Sequence, residues 1–243
     1  MSVRLDRMLS ECGVASRSEV ARACREGVVI VNGAVVKRPD ARVDEENDAV
    51  VYRGQTIRYR KFVYLLLNKP KGYISATEDG NDPVVTELVP VEYRRMGVFP
   101  CGRLDKYTTG LMLLTNDGEL SHRLLAPKSH VTKRYRFEAE KPLTDADISA
   151  LEAGVNIGGY LTKPCKIDPE APDRGIIAIT EGKYHQIKRM FDAIGNRILN
   201  LERISFGTLA LNGSLARGEW RELTTEELAA LQSNQTPKER DFS

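Results

Sequence analysis

The segment Val28-Val29-Ile30-Val31, Asn32-Gly33, Ala34-Val35-Val36 constrains this chain more than any other. Two β-branched runs separated by Asn-Gly form a hairpin, because both turn residues tolerate the positive φ of a type I′ turn whose twist matches paired strands. Upstream, Leu5, Met8 and Leu9 share one helical face that Gly13 ends. Ser16 then caps a second helix running to about Glu26, with Gly27 beyond it. Residues 1–57 therefore read as a small α+β unit of two helices and a hairpin.

Charge says where to look for a partner. The chain carries 36 Lys and Arg against 34 Asp and Glu, too even a balance to create a strong global field. Eleven of the basic residues and nine of the acids fall in the first 60 positions, so the whole excess sits there, and ten of the eleven are Arg. The planar guanidinium fork suits phosphate better than a lysine point charge. Arg17, Arg22 and Arg25 recur at near-helical spacing; by spacing alone this also fits a solvated face with Glu19 and Glu26 as partners, and the adjoining hairpin tips the reading toward structured RNA. Apolar stretches such as 63–67 and 111–114 fall far short of the about 20 residues of a membrane span. The opening Met1-Ser2-Val3-Arg4 lacks the apolar core of a secretory signal, and a cytoplasmic location is expected. Cys12, Cys24, Cys101 and Cys165 are scattered, and the histidines are His122, His130 and His185. No disulfide framework or metal site is expected, and the H-x-E and P-C-x-x-C ligands of a zinc base deaminase are missing.

Residues 58–61 read as a linker, and 62–232 as a second domain with a polar tail at 233–243. No acid occurs between Asp48 and Glu78, where Arg53, Arg58, Arg60, Lys61, Lys69 and Lys71 alternate with Tyr52, Tyr59, Phe62, Tyr64 and Tyr73. That pattern fits a basic groove with stacking rings or a strand with a charged edge. Strand-like runs at 63–67, 111–114, 135–139, 176–179 and 198–201 are punctuated by helices, one opened by a Thr144/Asp147 capping box and closed at Gly154, the last opened at Thr225. With no Gly-rich phosphate loop, an α+β domain on a largely antiparallel mixed sheet with flanking helices is expected.

Three constellations could carry chemistry. The glycine-bracketed loop Gly102-Arg103-Leu104-Asp105-Lys106-Tyr107-Thr108-Thr109-Gly110 leads into a buried strand, where Asp105 is either a turn residue or a reactive group. In Glu181-Gly182-Lys183-Tyr184-His185-Gln186-Ile187-Lys188-Arg189-Met190-Phe191, the stripe Ile187, Met190, Phe191, Ile194 buries one helix face that Gly195 stops. His185, Lys188 and Arg189 lie off it, near a helix start that disfavours cations, which points to a facing anion or to a merely solvated face. The third is Lys133-Arg134-Tyr135-Arg136-Phe137, whose alternating rings are either core or a stacking surface for a base.

These residues carry two resemblances. Arg4-Leu5-Asp6, Gly13, Ser16-Arg17, Arg25-x-Gly27-x-Val29-x-Val31-Asn32-Gly33 and Pro39 resemble the RNA-binding domain named after small-subunit ribosomal protein S-four. The Asp105 loop, the Lys-x-Tyr strand ending at Tyr135, and 182–190 together resemble RNA pseudouridine synthases. Leu67-Asn68-Lys69-Pro70-Lys71-Gly72, Thr108-Thr109-Gly110-Leu111 and Gly218-Glu219-Trp220-Arg221-Glu222-Leu223-Thr224 are similar to their RsuA-type bacterial branch. The resemblance implies cofactor-free isomerisation of a uridine in ribosomal RNA, free or in an assembling subunit, by a protein expected to be a monomer. Asp105 would be the essential carboxylate, Lys188 its partner cation and Tyr135 the ring that stacks on uracil. Arg103 would contact the backbone or fill the gap left by the flipped base. Arg4, Arg17, Arg22, Arg25, Lys69, Lys71, Lys133, Arg134, His185 and Arg189 complete the expected RNA-binding set.

Lys188 and the His185-Gln186 pair resemble members acting on small-subunit (16S) rRNA. The alternatives are large-subunit (23S) rRNA and a non-catalytic RNA-binding ribosome-assembly factor. A glycosidase would want two carboxylates flanking the bond, and near Asp105 the sequence offers only Asp117 and Glu119.

Overall fold

In the computed structural model of the chain, which describes residues 2–213 and 215–233, Asn32 and Gly33 sit at φ 51° and 80°. They join strands β2 (Val29–Val31) and β3 (Ala34–Val35), preceded by β1 (Ser2–Arg4), α1 (Leu5–Glu11) and α2 (Arg17–Glu26). Ser16 caps α2 in a full capping box: its hydroxyl accepts from the Glu19 N–H while the Glu19 carboxylate accepts from the Ser16 N–H. Glu19 is thereby a cap rather than an arginine partner. Strands β4 (Arg42–Asp44), β5 (Val50–Tyr52) and β6 (Gln55–Ile57) follow. The sheet order is β3-β2-β5-β6, with β1 and β4 paired separately. Leu5, Met8, Leu9, Val20, Ala23, Cys24, Val29 and Val50 form the core beneath them.

By backbone contacts the chain divides into Met1–Val63 with Val89–Phe99, and Tyr64–Leu88 with Pro100–Ser243. The sequence reading makes one cut at the linker; the structure adds a segment from later in the chain, including α3 (Val91–Arg95), to the first unit. Gly13, at φ 69°, turns so close to α3 that any Cβ there would run into the Glu92 carbonyl. Of the expected tail, Ser233 closes the last helix and 234–243 lie outside the described residues.

The second unit contains β7 (Tyr64–Lys69), β9 (Thr109–Thr115), α4 (Gly118–Leu125), β10 (Lys133–Ala139), α5 (Asp145–Ala153), β11 (Lys166–Ala171) and β12 (Arg174–Ile179). It continues through α6 (Gln186–Ala193), β13 (Ile198–Phe206), β14 (Leu209–Ala210), β15 (Trp220–Glu222) and α7 (Thr225–Gln232); the short β8 (Phe99–Pro100) precedes β9. Thr144 with Asp147, and Thr224 with Glu227, build capping boxes at α5 and α7, the latter one residue before the expected opening. The sheet order is β11-β12-β10-β13-β9-β7-β15, with β14 pairing β13. These neighbours are antiparallel except β13 and β9, which run parallel through Glu202 opposite Thr109 and Arg203 opposite Gly110. Gly110, at φ 100°, lets β13 approach this seam closely, since a Cβ there would fall on the Arg203 backbone. Leu66, Leu111, Leu113, Leu120, Leu124 and Phe206 are buried together against α4. Among the described residues no helix is long and apolar enough to cross a membrane.

Candidate active site

The Asp105 loop is held from below by a buried amine. Lys69, at the end of β7, is 0% exposed, and its Nζ donates to the carbonyls of Asp105 (3.1 Å), Lys106 (3.3 Å), Thr108 (2.8 Å) and Pro70 (3.1 Å). Burial pushes its pKa down to about 8, only partly offset by the nearby Asp105 charge. The loop is pinned at two further points: Ser75 Oγ donates to the Leu104 carbonyl at 2.7 Å, and Lys106 Nζ meets Asp82 Oδ1 at 2.5 Å. Lys69 therefore cannot belong to the RNA-contacting set: an ammonium enclosed by four carbonyls has no surface to offer a phosphate.

Lys69→Met is expected to displace the Asp105 loop, because it removes the donor shared by the Asp105, Lys106 and Thr108 carbonyls; unchanged proteolytic protection of the loop would show that it keeps its shape without the amine. Since an unfolded lysine keeps its proton to about pH 10.5, the unfolded chain binds more protons than the native one between about 8 and 10.5. Wild-type stability linked to Lys69 therefore rises with pH through that window, and Lys69→Met should flatten the rise in denaturant titrations.

Across the cavity, the start of α6 supplies the groups facing Asp105. Lys188 Nζ lies 2.8 Å from Asp105 Oδ2, and His185 Nε2 lies 3.4 Å from Oδ1. His185 occupies the N-cap of α6 at φ 49°, a left-handed conformation that costs a non-glycine residue about 1–2 kcal/mol. Its ring stacks on exposed Tyr184 with centroids 3.9 Å apart. Ahead of the helix, Glu181 accepts hydrogen bonds from the Tyr160 hydroxyl (2.6 Å), the Lys163 N–H (2.9 Å) and Gln186 Nε2 (2.8 Å). Burial opposes ionisation of Glu181, but those three donors outweigh it and hold the carboxyl below its ordinary range. This network fixes the approach of the 182–186 segment to Asp105.

The cavity has a volume of about 1000 Å³, and its lining includes Arg103, Asp105, Lys133, Tyr135, His185, Lys188 and Arg203. Tyr135 is 7% exposed and opposes Ile177 and Arg203 on its neighbouring strands. It belongs to the lining rather than to the deep core, whereas Phe137 packs against Phe191 at 5.0 Å. Strand alternation puts Arg134 on the opposite face of β10, 3.6 Å from Asp168. Lys71 lines a second cavity of about 480 Å³ with Arg136 and Arg217, its Nζ 2.8 Å from Asn200 Oδ1. Arg189 turns its guanidinium to the Ile157 and Tyr184 carbonyls, tying the 157 turn to α6. Of the expected set in this unit, Arg103, Asp105, Lys133, Tyr135, His185 and Lys188 thus share one cavity, while Lys69, Lys71, Arg134 and Arg189 lie outside its lining.

In the first unit, Arg17, Arg22 and Arg25 are exposed on α2, with Arg22 at 3.9 Å from Glu26. Arg4 instead clasps Asp6 with both arms, at 3.0 and 2.7 Å, and that pairing holds the Asp6 carboxyl below its usual range.

Two residues escape the sequence reading. Arg203 is 2% exposed and donates from Nε to the Leu111 carbonyl at 2.7 Å, across the parallel seam. Glu181 is the hub of the rim network, a role that appears only when 160, 163 and 186 are brought together. Residue type alone carries no signal for either.

The RNA pseudouridylate synthase family matches residues 63–193 of this chain, and the S4 domain matches residues 3–50. Over 238 residues the chain is 46% identical to an uncharacterized RNA pseudouridine synthase, YtzG, of Bacillus subtilis, covering 96% of this chain and 100% of that one. Over 234 residues it is 41% identical to the ribosomal small subunit pseudouridine synthase A of Yersinia pestis, covering 94% and 98%. A crystal structure of pseudouridylate synthase superposes with a TM-score of 0.66 at 34% identity, covering 94% of this chain and 99% of that one.

Proposed function

The chain belongs to the RNA pseudouridine synthase family, and from that premise we propose that it isomerises one uridine of small-subunit (16S) ribosomal RNA, with Asp105 as the essential carboxylate. In the reaction the bond from uracil N1 to the ribose C1′ breaks, the base turns, and C5 bonds to C1′, its proton being replaced by one on N1. A uridine inside a folded RNA has to leave its stack to reach such a cavity.

The observation that carries the reading is Asp105 facing Lys188 Nζ at 2.8 Å inside the cavity that Tyr135 lines. Lys188 sets a counter-charge against that carboxylate and orients it. Attack on the sugar, attack on the base and removal of a sugar proton all require a carboxylate in contact with the flipped nucleotide. Tyr135 offers its ring to the uracil, and exposed Arg103 reaches the backbone or the space the base vacates. The choice of small-subunit RNA rests on the 41% identical Yersinia pestis relative and on the Lys188 and His185-Gln186 signature.

Mapping pseudouridines by carbodiimide labelling and primer extension, in cells with and without the protein, tests this. Loss of one 16S site, restored by the wild-type gene, is the expected result; loss of a 23S site instead would overturn the substrate assignment.

The first unit supplies RNA affinity in this reading. Replacing Arg17, Arg22 and Arg25 together by Ala should make the slope of log affinity against log salt shallower by about 2, as expected when roughly three phosphate contacts disappear. An unchanged slope in filter binding would remove these arginines from the interface.

A further inference from the structure

Among the described residues, Arg103, Lys163 and Lys183 line the Asp105 cavity from exposed positions, and the less exposed cations in and beneath it differ in how far they are satisfied. Lys188 faces Asp105, Lys106 faces Asp82, and Lys69 is enclosed by four carbonyls. Arg203 Nε is engaged by the Leu111 carbonyl. Lys133 lines the same cavity, yet among the described residues its Nζ has one hydrogen-bond acceptor, the Val131 carbonyl at 2.8 Å, and no carboxylate at ion-pair distance. An ammonium carries three donors, so two are unused. Beyond that bond it makes a long cation–π approach to the Phe206 ring, 5.8 Å to the centroid, and the buried Arg203 guanidinium repels it. Burial first and then Arg203 push its pKa down to about 8; Glu181, from the segment after β12, pulls weakly the other way. Cys101, the other titratable neighbour, has its thiol pushed up by burial.

A half-buried, unpaired charge costs free energy in the free protein, and a ligand that brings negative charge to it recovers that cost. Lys133 stands two residues before Tyr135 on the same face of β10 and both line the cavity, so a pyrimidine seated on the Tyr135 ring shares that cavity with this ammonium. When the N1–C1′ bond breaks with its electron pair left on the base, uracil becomes an anion whose charge is shared among N1 and the two carbonyl oxygens. We propose that Lys133 is the catalytic cation that binds a uracil carbonyl and carries the negative charge developing on the departing base. The ammonium keeps its proton throughout: the pair that leaves C1′ with N1 is delocalised over the ring and supplies the new C5–C1′ bond. This rests on the function proposed above, and it adds a leaving-group residue distinct from the carboxylate.

Single-turnover rates on the 16S substrate for wild type, Lys133→Gln and Lys133→Arg provide the test, alongside thermal melting and RNA filter binding. Losing one preorganised donor to a developing anion costs about 10²–10³-fold in rate. Lys133→Gln is therefore expected to be slower by about that factor, with RNA affinity within about twofold of wild type. Lys133→Arg should recover at least about tenfold. The wild-type rate should fall above about pH 8 as the ammonium is lost, and the fall should vanish in Lys133→Arg, whose guanidinium stays charged. Lys69 titrates in the same range, so persistence of the alkaline fall in Lys133→Arg would assign it to Lys69 and overturn the proposal. A Lys133→Gln rate within about threefold of wild type would overturn it as well. So would equal losses in both variants matched by equal losses in melting temperature, which mark a structural lysine. Absence of product from the wild-type enzyme on any rRNA would instead overturn the proposed function itself.

Discussion

Asp105→Asn protein is expected to bind its RNA within about twofold of wild type and to form no measurable pseudouridine, a loss of at least about 10³-fold. The substitution keeps the shape of the side chain, and the loop does not depend on it: the anchors there are the Asp105, Lys106 and Thr108 carbonyls on Lys69 and the Leu104 carbonyl on Ser75. What disappears is the negative charge that faces Lys188 and His185. Lys188 then loses its counter-ion in a half-buried position, a change whose cost falls on the site and not on the rest of the fold. Tritium release from C5-labelled RNA, read beside a binding isotherm, separates the two effects. Turnover by Asp105→Asn at more than about a tenth of the wild-type rate would remove Asp105 from the essential role.

Gly110→Ala is expected to destabilise the second unit by about 4 kcal/mol, a large fraction of the about 5–15 kcal/mol that holds a typical domain folded. Two costs combine at this position. A side chain at φ 100° is strained by about 1–3 kcal/mol. The new Cβ would also sit 2.8 Å from the Arg203 nitrogen and against its carbonyl, and forcing a methyl into packed backbone costs about 1–3 kcal/mol more. Because Gly110 opposes Arg203 at the parallel seam, relief requires β13 to move away from β9 and the Asp105 loop to shift with it. Gly118→Ala is the control: it begins α4, has no positive φ and has nothing within 4 Å of its added Cβ. It should lie within about 1 kcal/mol of wild type. Equal urea midpoints for the two variants would show that the seam has more room than its geometry indicates.

Local signals in the chain were read at the right places because they act over a few residues. Asn32-Gly33, the Ser16 and Thr144 boxes and Gly27 each satisfy backbone groups or a positive φ inside their own turn, so residue type is enough to find them. The buried stripe Ile187, Met190, Phe191 likewise follows from helical spacing. The three site segments were legible through their resemblance to a family, and their residue types alone left both a structural and a functional reading open.

Assignments that depend on which way a charge points were not legible. Lys69 and Lys71 are two residues apart in one basic run, yet one amine is enclosed by carbonyls while the other lines a separate cavity. Lys133 and Arg134 are neighbours on opposite faces of one strand, and only the first lines the Asp105 cavity. The 89–99 segment gives no composition cue that it groups with the first unit, because that grouping depends on contacts between residues far apart in the chain, such as Gly13 with Glu92 and Arg95 with Val14.

By itself the sequence determined helices α1, α2, α5, α6 and α7, the hairpin, the Ser16 and Thr144 caps and the inventory of groups available for chemistry, since those follow from contacts within about four residues of one another. The tertiary structure alone decided that Asp105 and Lys188, 83 positions apart, meet at 2.8 Å. It also decided that Lys69 faces inward and that, among the described residues, Lys133 has no carboxylate at ion-pair distance. The physical reason is that burial and charge pairing are properties of the space between elements, set by the β13 to β9 seam and the packing of α6 beside it, and no local segment encodes that space.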